Sequence, residues 1–409
     1  MGQARQCILC GKCLEVCPMF AATGREELSP RAKFFLAQLM EGGEAGQDAS
    51  ERNVVALAGK CFSCGKCEKA CPAGLSAPDL LSGLRAASPN AGAALWGFWI
   101  SRARVLWPMM ATLSRVLPRF IVPDAVKGVA AGLRALDPGE GLAPWLTPIR
   151  FDPCGQGRKA VVFPGCVAAH ARPGWTATAQ KIVRGLGFDV EPEPRFVCCG
   201  HTLGHVGLKD AQQHMRLANI ERWRTLGRPM LAIFCATCRY GLHRYATADL
   251  GWEPGERETW TTGLVPLSEL AARVEYEILP GAPSAENAGN VPAGNTAGGA
   301  DDVLSGKTTG RVHYHTPCHD TDGKDAAFLR SVLGEALSAP TQKDLCCGFG
   351  GALKLEAPEL SELAAKRCLD FYGPLPAERI LSGCSGCVLQ LRANAPGGVL
   401  VGHWLESIA

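Results

Sequence analysis

The sequence lacks several features that would assign the protein to a common class. It contains no uninterrupted run of about 18 apolar residues, which argues against a membrane-spanning helix. No apolar segment of the kind found in secretory signals precedes the first cysteine, Cys7. The formal net charge is only +3, so no attraction to nucleic acid is expected. No glycine-rich dinucleotide fingerprint, phosphate loop or flavin motif is recognised, and no flavin is therefore expected in this chain.

Cysteine, by contrast, is abundant, with 20 among 409 residues. Disulfide-rich scaffolds are usually short and secreted. The cysteines of this chain fall in tight C-x-x-C groups, which suit the wrapping of one metal centre better than the joining of distant loops. We therefore expect thiolate metal ligands in a reducing cytoplasm, with disulfides as the less favoured alternative.

Residues 93–122 form an apolar stretch that contains tryptophans and is interrupted by four arginines and by Pro108. Segments of this composition can lie on a membrane surface or dock a partner. They can equally form linker helices that pack on the body of their own protein. The sequence leaves both open. The expected localisation is cytoplasmic, with a peripheral place on the inner face of the membrane as an open alternative.

Two runs near the N-terminus, residues 7–18 and 61–72, share the pattern C-x2-C-x2-C-x3-C-P. Three cysteines spaced in this way let a short loop curl around an iron–sulfur cube, while the fourth points away and reaches the neighbouring cluster. The pattern predicts two [4Fe–4S] clusters, whereas a zinc site would leave the fourth cysteine of each run unexplained. The expected ligand sets are Cys7, Cys10, Cys13 and Cys71 for one cluster, and Cys61, Cys64, Cys67 and Cys17 for the other.

Between the two runs, the sequence SPRAKFFLAQLMEGG predicts a helix. Ser29 is the expected N-cap, Pro30 suits the first turn and Gly42 marks the end. This insert resembles the ferredoxin-type domain of respiratory iron–sulfur subunits. The resemblance implies a mainly helical domain around the clusters, which we expect to span residues 1–88.

The sequence after residue 150 is an internal repeat. Three blocks recur in the same order: VVFPGC at 161–166 and VHYHTPC at 312–318, FVCCG at 196–200 and DLCCG at 344–348, MLAIFCATC at 230–238 and RILSGCSGC at 379–387. We expect two copies of one domain, copy 1 at 154–280 and copy 2 at 311–409. A helical linker is expected at 89–153, and a flexible linker at 281–310, which is rich in Gly, Ala, Asn and Pro.

Within each copy, cysteines follow short β-type runs and precede helical stretches, as in an α/β domain with a mainly parallel sheet. Functional groups of such sheets gather just beyond the strand ends. Five thiolates are therefore expected to converge in each copy: Cys166, Cys198, Cys199, Cys235 and Cys238 in copy 1, and Cys318, Cys346, Cys347, Cys384 and Cys387 in copy 2. They predict one or two further iron–sulfur clusters, with a redox dithiol or a zinc site as the alternative.

A few candidates lie outside these sets. Cys368 belongs to a helical pattern and is expected to be a buried apolar side chain, while the pattern gives no role to Cys154. His201 and His319 each follow a cysteine motif directly. We expect both histidines to support cluster ligands through hydrogen bonds rather than to bind iron themselves.

The two cysteine runs followed by two CCG units resemble the glycolate oxidase iron–sulfur subunit family, and the similarity covers nearly the whole chain. It includes LSPRAKFFLAQLMEG, VCCGHTLGHVGLKDAQQHMRLANIERW and the C-terminal segment from LCCGFGG to VGHWLESIA. Relatives with this architecture include the anaerobic glycerol-3-phosphate dehydrogenase small subunit, lactate-utilisation iron–sulfur proteins and the heterodisulfide reductase catalytic subunit. Both C-x-x-C pairs are intact here, whereas many glycolate-type members lack them.

The resemblance implies an electron-transfer subunit of an oxidoreductase complex. A separate FAD-binding subunit would oxidise a 2-hydroxy acid such as glycolate or lactate. This chain would pass the electrons to quinone or another acceptor, and no catalytic base is expected in it. Three alternatives stay open: a disulfide reductase that acts at its own CCG site, the iron–sulfur subunit of an anaerobic glycerol-3-phosphate dehydrogenase, and a structural zinc-binding scaffold.

Overall fold

The computed structural model describes residues 4–42, 56–57, 59–88, 90–116, 127–137, 141–279 and 311–409. The chain forms two compact units, each built from discontinuous segments. Unit 1 comprises Met1–Ala103, Cys199–Arg216 and Thr341–Phe371, and unit 2 comprises Arg104–Cys198, Leu217–Pro340 and Tyr372–Ala409. The expected domain boundaries stay predictions, and the expected linker at 281–310 lies outside the described residues.

Unit 1 is mainly helical. Its N-terminal segment contains α1 (Pro18–Thr23), α2 (Pro30–Gly42), α3 (Lys66–Ala70), α4 (Ala77–Ala87) and α5 (Ala91–Ser101). The predicted helix between the cysteine runs is confirmed as α2. It begins as expected, because the Ser29 hydroxyl accepts a hydrogen bond from the Ala32 amide at 3.2 Å.

Further along the chain the remaining helices are α6 (Ala103–Val116), α7 (Lys127–Leu136), α8 (Gly165–His170), α9 (Pro173–Gly185), α10 (His201–His205), α11 (Lys209–Thr225), α12 (Ala236–His243), α13 (Glu256–Gly263), α14 (Leu267–Ala271), α15 (Lys324–Leu333), α16 (Leu353–Glu356), α17 (Pro358–Tyr372) and α18 (Ser385–Asn394). No helix in the described part of the chain is long and apolar enough to cross a membrane.

The strands all belong to unit 2. They are β1 (Leu146–Phe151), β2 (Lys159–Phe163), β3 (Asp189–Val190), β4 (Met230–Ile233), β5 (Leu264–Pro266), β6 (Val274–Ile278), β7 (Val312–His315), β8 (Leu337–Ser338), β9 (Arg379–Ser382) and β10 (Leu400–His403). Every residue of β7 and β9 is buried, as expected for central strands of a parallel sheet that is covered on both faces.

The two parallel sheets have the same topology. Copy 1 has the strand order β3-β2-β4-β5 and copy 2 has the order β8-β7-β9-β10. In both, the first strand of the copy lies between the second and the third, so the strand order reverses between the first and third strands. The predicted fold class, a helical first region followed by two α/β domains with parallel sheets, is thus confirmed.

A small antiparallel pair holds the ends of the two copies together within unit 2. β1 precedes copy 1 and pairs with β6, which ends it. The C-terminus of copy 2 adds to this pair, because Trp145 donates its amide to Ser407 at 2.9 Å and Ala409 donates its amide to Leu146 at 2.9 Å. The two copies are therefore joined by backbone hydrogen bonds rather than only by the linker.

Helices α5 and α6 contain most of the apolar stretch at residues 93–122. From the sequence, this stretch could either pack on the protein itself or dock on a membrane or a partner. Trp96 and Trp107 are buried, which agrees with packing on the protein's own body. Other apolar side chains of the same helices are exposed, among them Phe98, Val105 and Met109. Residues 117–122 lie outside the described residues.

Candidate metal centres

Four of the predicted cluster ligands surround one cavity in unit 1. Cys17, which belongs to the first cysteine run, lines it together with Cys61, Cys64 and Cys67 of the second run. Apart from Lys33, the remaining lining of the cavity is apolar. We call these four cysteines the inner set. Their arrangement has the crossed pattern that the spacing predicts, with the fourth cysteine of one run beside the other run.

The inner set is deeply buried. Cys17, Cys64 and Cys67 are each at most 8% exposed. Burial and the charges of the neighbouring Cys61 and Cys17 together raise the pKa of Cys67 to about 12, since each thiolate disfavours another. Four such sulfurs gathered in an apolar cavity are poorly placed as thiolates unless a cationic centre compensates them. The donor set and the cavity therefore fit a metal cluster.

The other predicted set, Cys7, Cys10, Cys13 and Cys71, is called the outer set. Cys7, Cys13 and Cys71 pack against one apolar cluster, which includes Phe34 and Leu80. Burial raises the pKa of Cys13 to about 11, and the neighbouring Cys7, Cys17 and Cys10 add to the increase. Unlike the inner set, this set reaches the surface, because Cys10 is exposed.

The loop that carries the CCG motif of copy 2 belongs to unit 1 and lies beside the inner set. Burial raises the pKa of Cys64 well above its usual value, and the neighbouring Cys346 raises it further. Lys66 donates hydrogen bonds to the carbonyl oxygens of Lys343 at 2.8 Å and Leu345 at 2.9 Å. The second cysteine run and this CCG loop are therefore held together by direct contacts.

The residues that follow the CCG motif of copy 1 pack on helices α4 and α5 within unit 1. Arg85 on α4 donates a hydrogen bond to the His205 carbonyl at 2.6 Å, and Ser82 donates to the Gly204 carbonyl at 2.5 Å. Trp96 on α5 donates to the Thr202 hydroxyl at 3.2 Å.

His201, one of the two histidines that the sequence singled out, is buried in this region. The centroid of its ring lies 4.1 Å from the centroid of the His205 ring.

In unit 2 the C-x-x-C pairs of the two copies meet. We call Cys235–Cys238 elbow 1 and Cys384–Cys387 elbow 2. Each follows the third strand of its copy, β4 or β9, next to the point where the strand order reverses. Ligand sites in open α/β sheets form at this position. Elbow 1 is joined to elbow 2 by the Ala236 amide, which donates to the Gly383 carbonyl at 2.8 Å.

The sulfur atoms of the two elbows interact directly. Hydrogen bonds from Cys238 and Cys384 hold the pKa of Cys235 well below its usual value, because they stabilise its thiolate. The same contact raises the pKa of Cys384. All four elbow cysteines are buried. The two copies thus share one thiol-rich site, which sequence spacing alone did not predict.

Each elbow also provides a hydroxyl group to the first cysteine of the other. The Thr237 hydroxyl in elbow 1 lies 3.2 Å from the Cys384 sulfur, and Ser385 in elbow 2 hydrogen-bonds to Cys235. The Thr237 hydroxyl also lies 3.0 Å from Nδ1 of His319, whose ring stacks on Tyr240. His319 therefore reaches a cysteine sulfur through Thr237, and its expected role beside a ligand stays a prediction.

Replacing Thr237 by valine, which has nearly the same shape, is expected to destabilise unit 2 by about 1 kcal/mol, because it removes a hydrogen bond at a buried sulfur. Thr237→Ser keeps the hydroxyl and should behave like the unchanged protein. Urea unfolding of anaerobically prepared protein measures the difference. Equal stability of the valine and serine variants would show that the hydroxyl contact contributes nothing.

A carboxyl group lies directly behind elbow 2. Asp325 on α15 accepts hydrogen bonds from the Tyr314 hydroxyl at 3.1 Å and the Trp404 indole at 3.2 Å. Burial and the charge of Asp320 together raise its pKa to about 7, against the opposing effect of Arg239. A side chain at Gly383 would collide with this carboxylate, so glycine is required immediately before Cys384.

The raised pKa of Asp325 predicts a pH dependence of stability. Between about pH 4 and pH 7 the folded state binds a proton that the unfolded state has released, so stability falls as the pH rises, by up to about 1.4 kcal/mol per pH unit. Asp325→Asn should flatten this slope in urea unfolding at several pH values. Asp322→Asn is the control, because the pKa of Asp322 is lowered. A slope unchanged by Asp325→Asn would contradict the assignment.

The remaining cysteines agree with the sequence in part. Cys368 on α17 is fully buried, as expected for an apolar side chain in a helix. Cys154 lies before β2 and donates its amide to the Leu186 carbonyl at 3.1 Å. None of the twenty cysteines, all of which are among the described residues, forms a disulfide bond. The convergence of all five thiolates within each copy stays a prediction.

Comparison with known proteins agrees with this division of the chain. A family model described as a 4Fe-4S dicluster domain matches residues 3–75. A second model, a cysteine-rich domain called CCG, matches residues 160–243 and 312–392. The matched segments contain both cysteine runs and the three recurring sequence blocks of each copy.

Several curated proteins are similar to the chain over nearly its whole length. The glycolate oxidase iron–sulfur subunit of Escherichia coli K12 is 23% identical over 99% of this chain and 93% of its own. A fumarate reductase (CoM/CoB) subunit of Methanothermobacter marburgensis is 22% identical over 95% of this chain and 67% of its own. A dihydromethanophenazine:CoB–CoM heterodisulfide reductase subunit of Methanosarcina acetivorans is 21% identical over 94% of this chain and 87% of its own.

Proposed function

The chain belongs to the iron–sulfur proteins in which a 4Fe–4S dicluster domain precedes two cysteine-rich domains, and we propose that it is the electron-transfer subunit of a flavin-dependent 2-hydroxy-acid dehydrogenase. Such proteins are iron–sulfur subunits of oxidoreductases. Their dicluster domain binds two [4Fe–4S] clusters. The proposal concerns the finer points: the partner, the substrate and the acceptor.

The closeness of the inner set to the CCG loop of copy 2 is the observation that carries the proposal: Lys66 donates hydrogen bonds to that loop, and Cys346 raises the pKa of Cys64. Bound clusters would supply single-electron transfer. The outer set reaches the surface at Cys10, the inner set is buried, and the inner set adjoins the CCG loop of copy 2. Sulfur ligands therefore extend from an exposed loop to the cysteine-rich repeat, which is the arrangement that a relay between two partners requires.

The ligand roles follow from this arrangement. The outer set holds one [4Fe–4S] cluster and the inner set holds the other. Cys166 and Cys318, together with the CCG cysteines and the two elbows, hold one or two further clusters. His201 and His319 support the ligands without binding iron.

Substrate oxidation belongs to another subunit. An FAD-binding subunit would oxidise glycolate, lactate or a related 2-hydroxy acid. This chain would pass the electrons to quinone or another acceptor, in agreement with its full-length similarity to a glycolate oxidase subunit.

Purification of the native complex under anaerobic conditions tests the proposal. A flavoprotein should accompany the chain, and the complex should reduce an artificial electron acceptor with one member of a panel of 2-hydroxy acids. Activity with glycerol 3-phosphate instead would indicate the related dehydrogenase. A complex without flavin that oxidises none of these substrates would refute the proposal.

A second function is favoured by the contact of the two elbows. Cys235 and Cys384 are buried together at the position where ligands bind in such sheets, and the lowered pKa of Cys235 favours its thiolate. A protein of this kind would reduce a small disulfide at the shared site. Turnover of a low-molecular-weight disulfide, sensitive to Cys235→Ala and insensitive to 2-hydroxy acids, would favour it over the dehydrogenase.

A further inference from the structure

A lysine side chain is buried in the cavity of the inner set. Lys33 lies in the first turns of α2, is 2% exposed and lines the cavity beside Cys17, Cys61 and Cys67. Its ammonium group donates a hydrogen bond to the Leu28 carbonyl. Of the residues that line this cavity, all of them described, Lys33 alone carries a positive charge.

A buried ammonium is costly, so its position calls for a negative partner. Burial keeps the pKa of Lys33 below its ordinary value, and the positive charge of Arg85 adds to the lowering, while the nearby thiolates of Cys61, Cys17 and Cys67 act in the opposite direction. No carboxylate lines the same cavity, so among the lining residues the cysteine sulfurs are the groups that can compensate the charge. The structure therefore pairs Lys33 with the inner set rather than with an acidic side chain.

The surroundings of the outer set differ. A cation close to this set is Arg31, whose pKa is raised by Glu26 as well as by the charges of Cys13 and Cys10. Arg31 forms an ion pair with Glu26, and both side chains are exposed to water by a third or more. Its charge is thus compensated and screened, whereas the charge of Lys33 is enclosed in an apolar cavity.

We propose that Lys33 raises the reduction potential of the inner cluster above that of the outer cluster. The proposal rests on the proposed binding of a cluster by the inner set. Reduction adds one negative charge, and an ammonium group in a low-dielectric cavity stabilises that charge more than a screened surface cation does. Electrons would then be held preferentially by the inner set, next to Cys346, and Lys33 would give the relay its direction.

The test is an anaerobic redox titration of the full chain, followed by electron paramagnetic resonance, with Lys33→Met, Lys33→Arg and Lys69→Met. Methionine removes the charge from the cavity and arginine keeps it. Lys69→Met removes the same charge from an exposed position on α3. Iron and sulfide content reports cluster loading separately from the potentials.

In Lys33→Met, the ratio of reduced to oxidised inner cluster at a fixed potential should fall at least tenfold, which equals about 59 mV for one electron. The outer cluster should not shift, and Lys33→Arg and Lys69→Met should both resemble the unchanged protein. Equal shifts in Lys33→Met and Lys69→Met, or no shift in either, would overturn the inference. Absence of clusters from the unchanged protein would instead refute the proposed function.

A second measurement decides the matter if Lys33→Met fails to assemble its clusters. A soluble paramagnetic ion relaxes the spectrum of the more exposed cluster in the unchanged protein, which identifies the outer cluster because Cys10 is exposed. The cluster affected less by the ion should become reduced at the higher potential. The opposite order would contradict the role of Lys33.

Discussion

Replacing Cys17 by alanine is expected to remove the inner cluster, although Cys17 belongs to the run that supplies most of the outer set. About four iron atoms and four sulfides per chain should be lost, because an alanine leaves one corner of the cube without its thiolate. The structure gives the reason: Cys17 lines the cavity of Cys61, Cys64 and Cys67.

The matched variants test the crossed pattern itself. Cys64→Ala should remove the same spectroscopic signal as Cys17→Ala, while Cys71→Ala and Cys10→Ala should both remove the other. Cys154→Ala serves as the control, since Cys154 lies outside both sets and should leave iron and sulfide unchanged. Loss of the same signal in Cys17→Ala and Cys10→Ala would contradict the crossed assignment.

Replacing Gly348 by alanine is expected to destabilise the CCG loop of copy 2 by about 2 to 5 kcal/mol. Gly348 has φ +81°, a left-handed conformation that costs other residues about 1–2 kcal/mol. Its added methyl group would also overlap the Ser361 carbonyl oxygen and approach the Ala364 side chain to 3.0 Å, and overpacking of this kind costs about 1–3 kcal/mol. The Ser361 hydroxyl already donates a hydrogen bond to the Gly348 carbonyl at 2.6 Å, so the backbone has little room to move.

The repeat provides the control for this prediction. Gly200 occupies the same place in the CCG motif of copy 1 and has φ +74°, but a methyl group there would meet its nearest atom, the Gln212 carbonyl oxygen, at 3.3 Å. Gly200→Ala should therefore lower the free energy of unfolding mainly because of the left-handed backbone conformation, by about 1–2 kcal/mol. Urea unfolding measures both variants, and equal losses would show that the contact with Ser361 is not responsible.

The sequence predicts much of the fold because periodicity and spacing are local. The buried runs that became β2, β4 and β7 and the helix that begins at Ser29 follow from neighbouring residues alone. The duplication was visible as repeated blocks, and the structure adds that both sheets have the same strand order.

The parts that could not be predicted depend on tertiary contacts. Two segments, Cys199–Arg216 and Thr341–Phe371, join unit 1 through contacts that no local sequence pattern predicts. Lys33 has the sequence context of any helical lysine, and only the packing of α2 against the second cysteine run reveals its burial. The hydroxyl contacts between the elbows, in which Thr237 lies beside Cys384 and Ser385 beside Cys235, likewise require both copies. A serine and a threonine inside C-x-x-C pairs were the signal that could have suggested them.

Counting iron and labile sulfide in protein purified without oxygen tests the central claim most directly, which is that the inner and outer sets hold two cubes. The account predicts a brown protein with at least about eight irons and eight sulfides per chain and the spectrum of two reduced [4Fe–4S] clusters. A colourless protein that contains zinc, or neither metal, in place of iron and sulfide would contradict it.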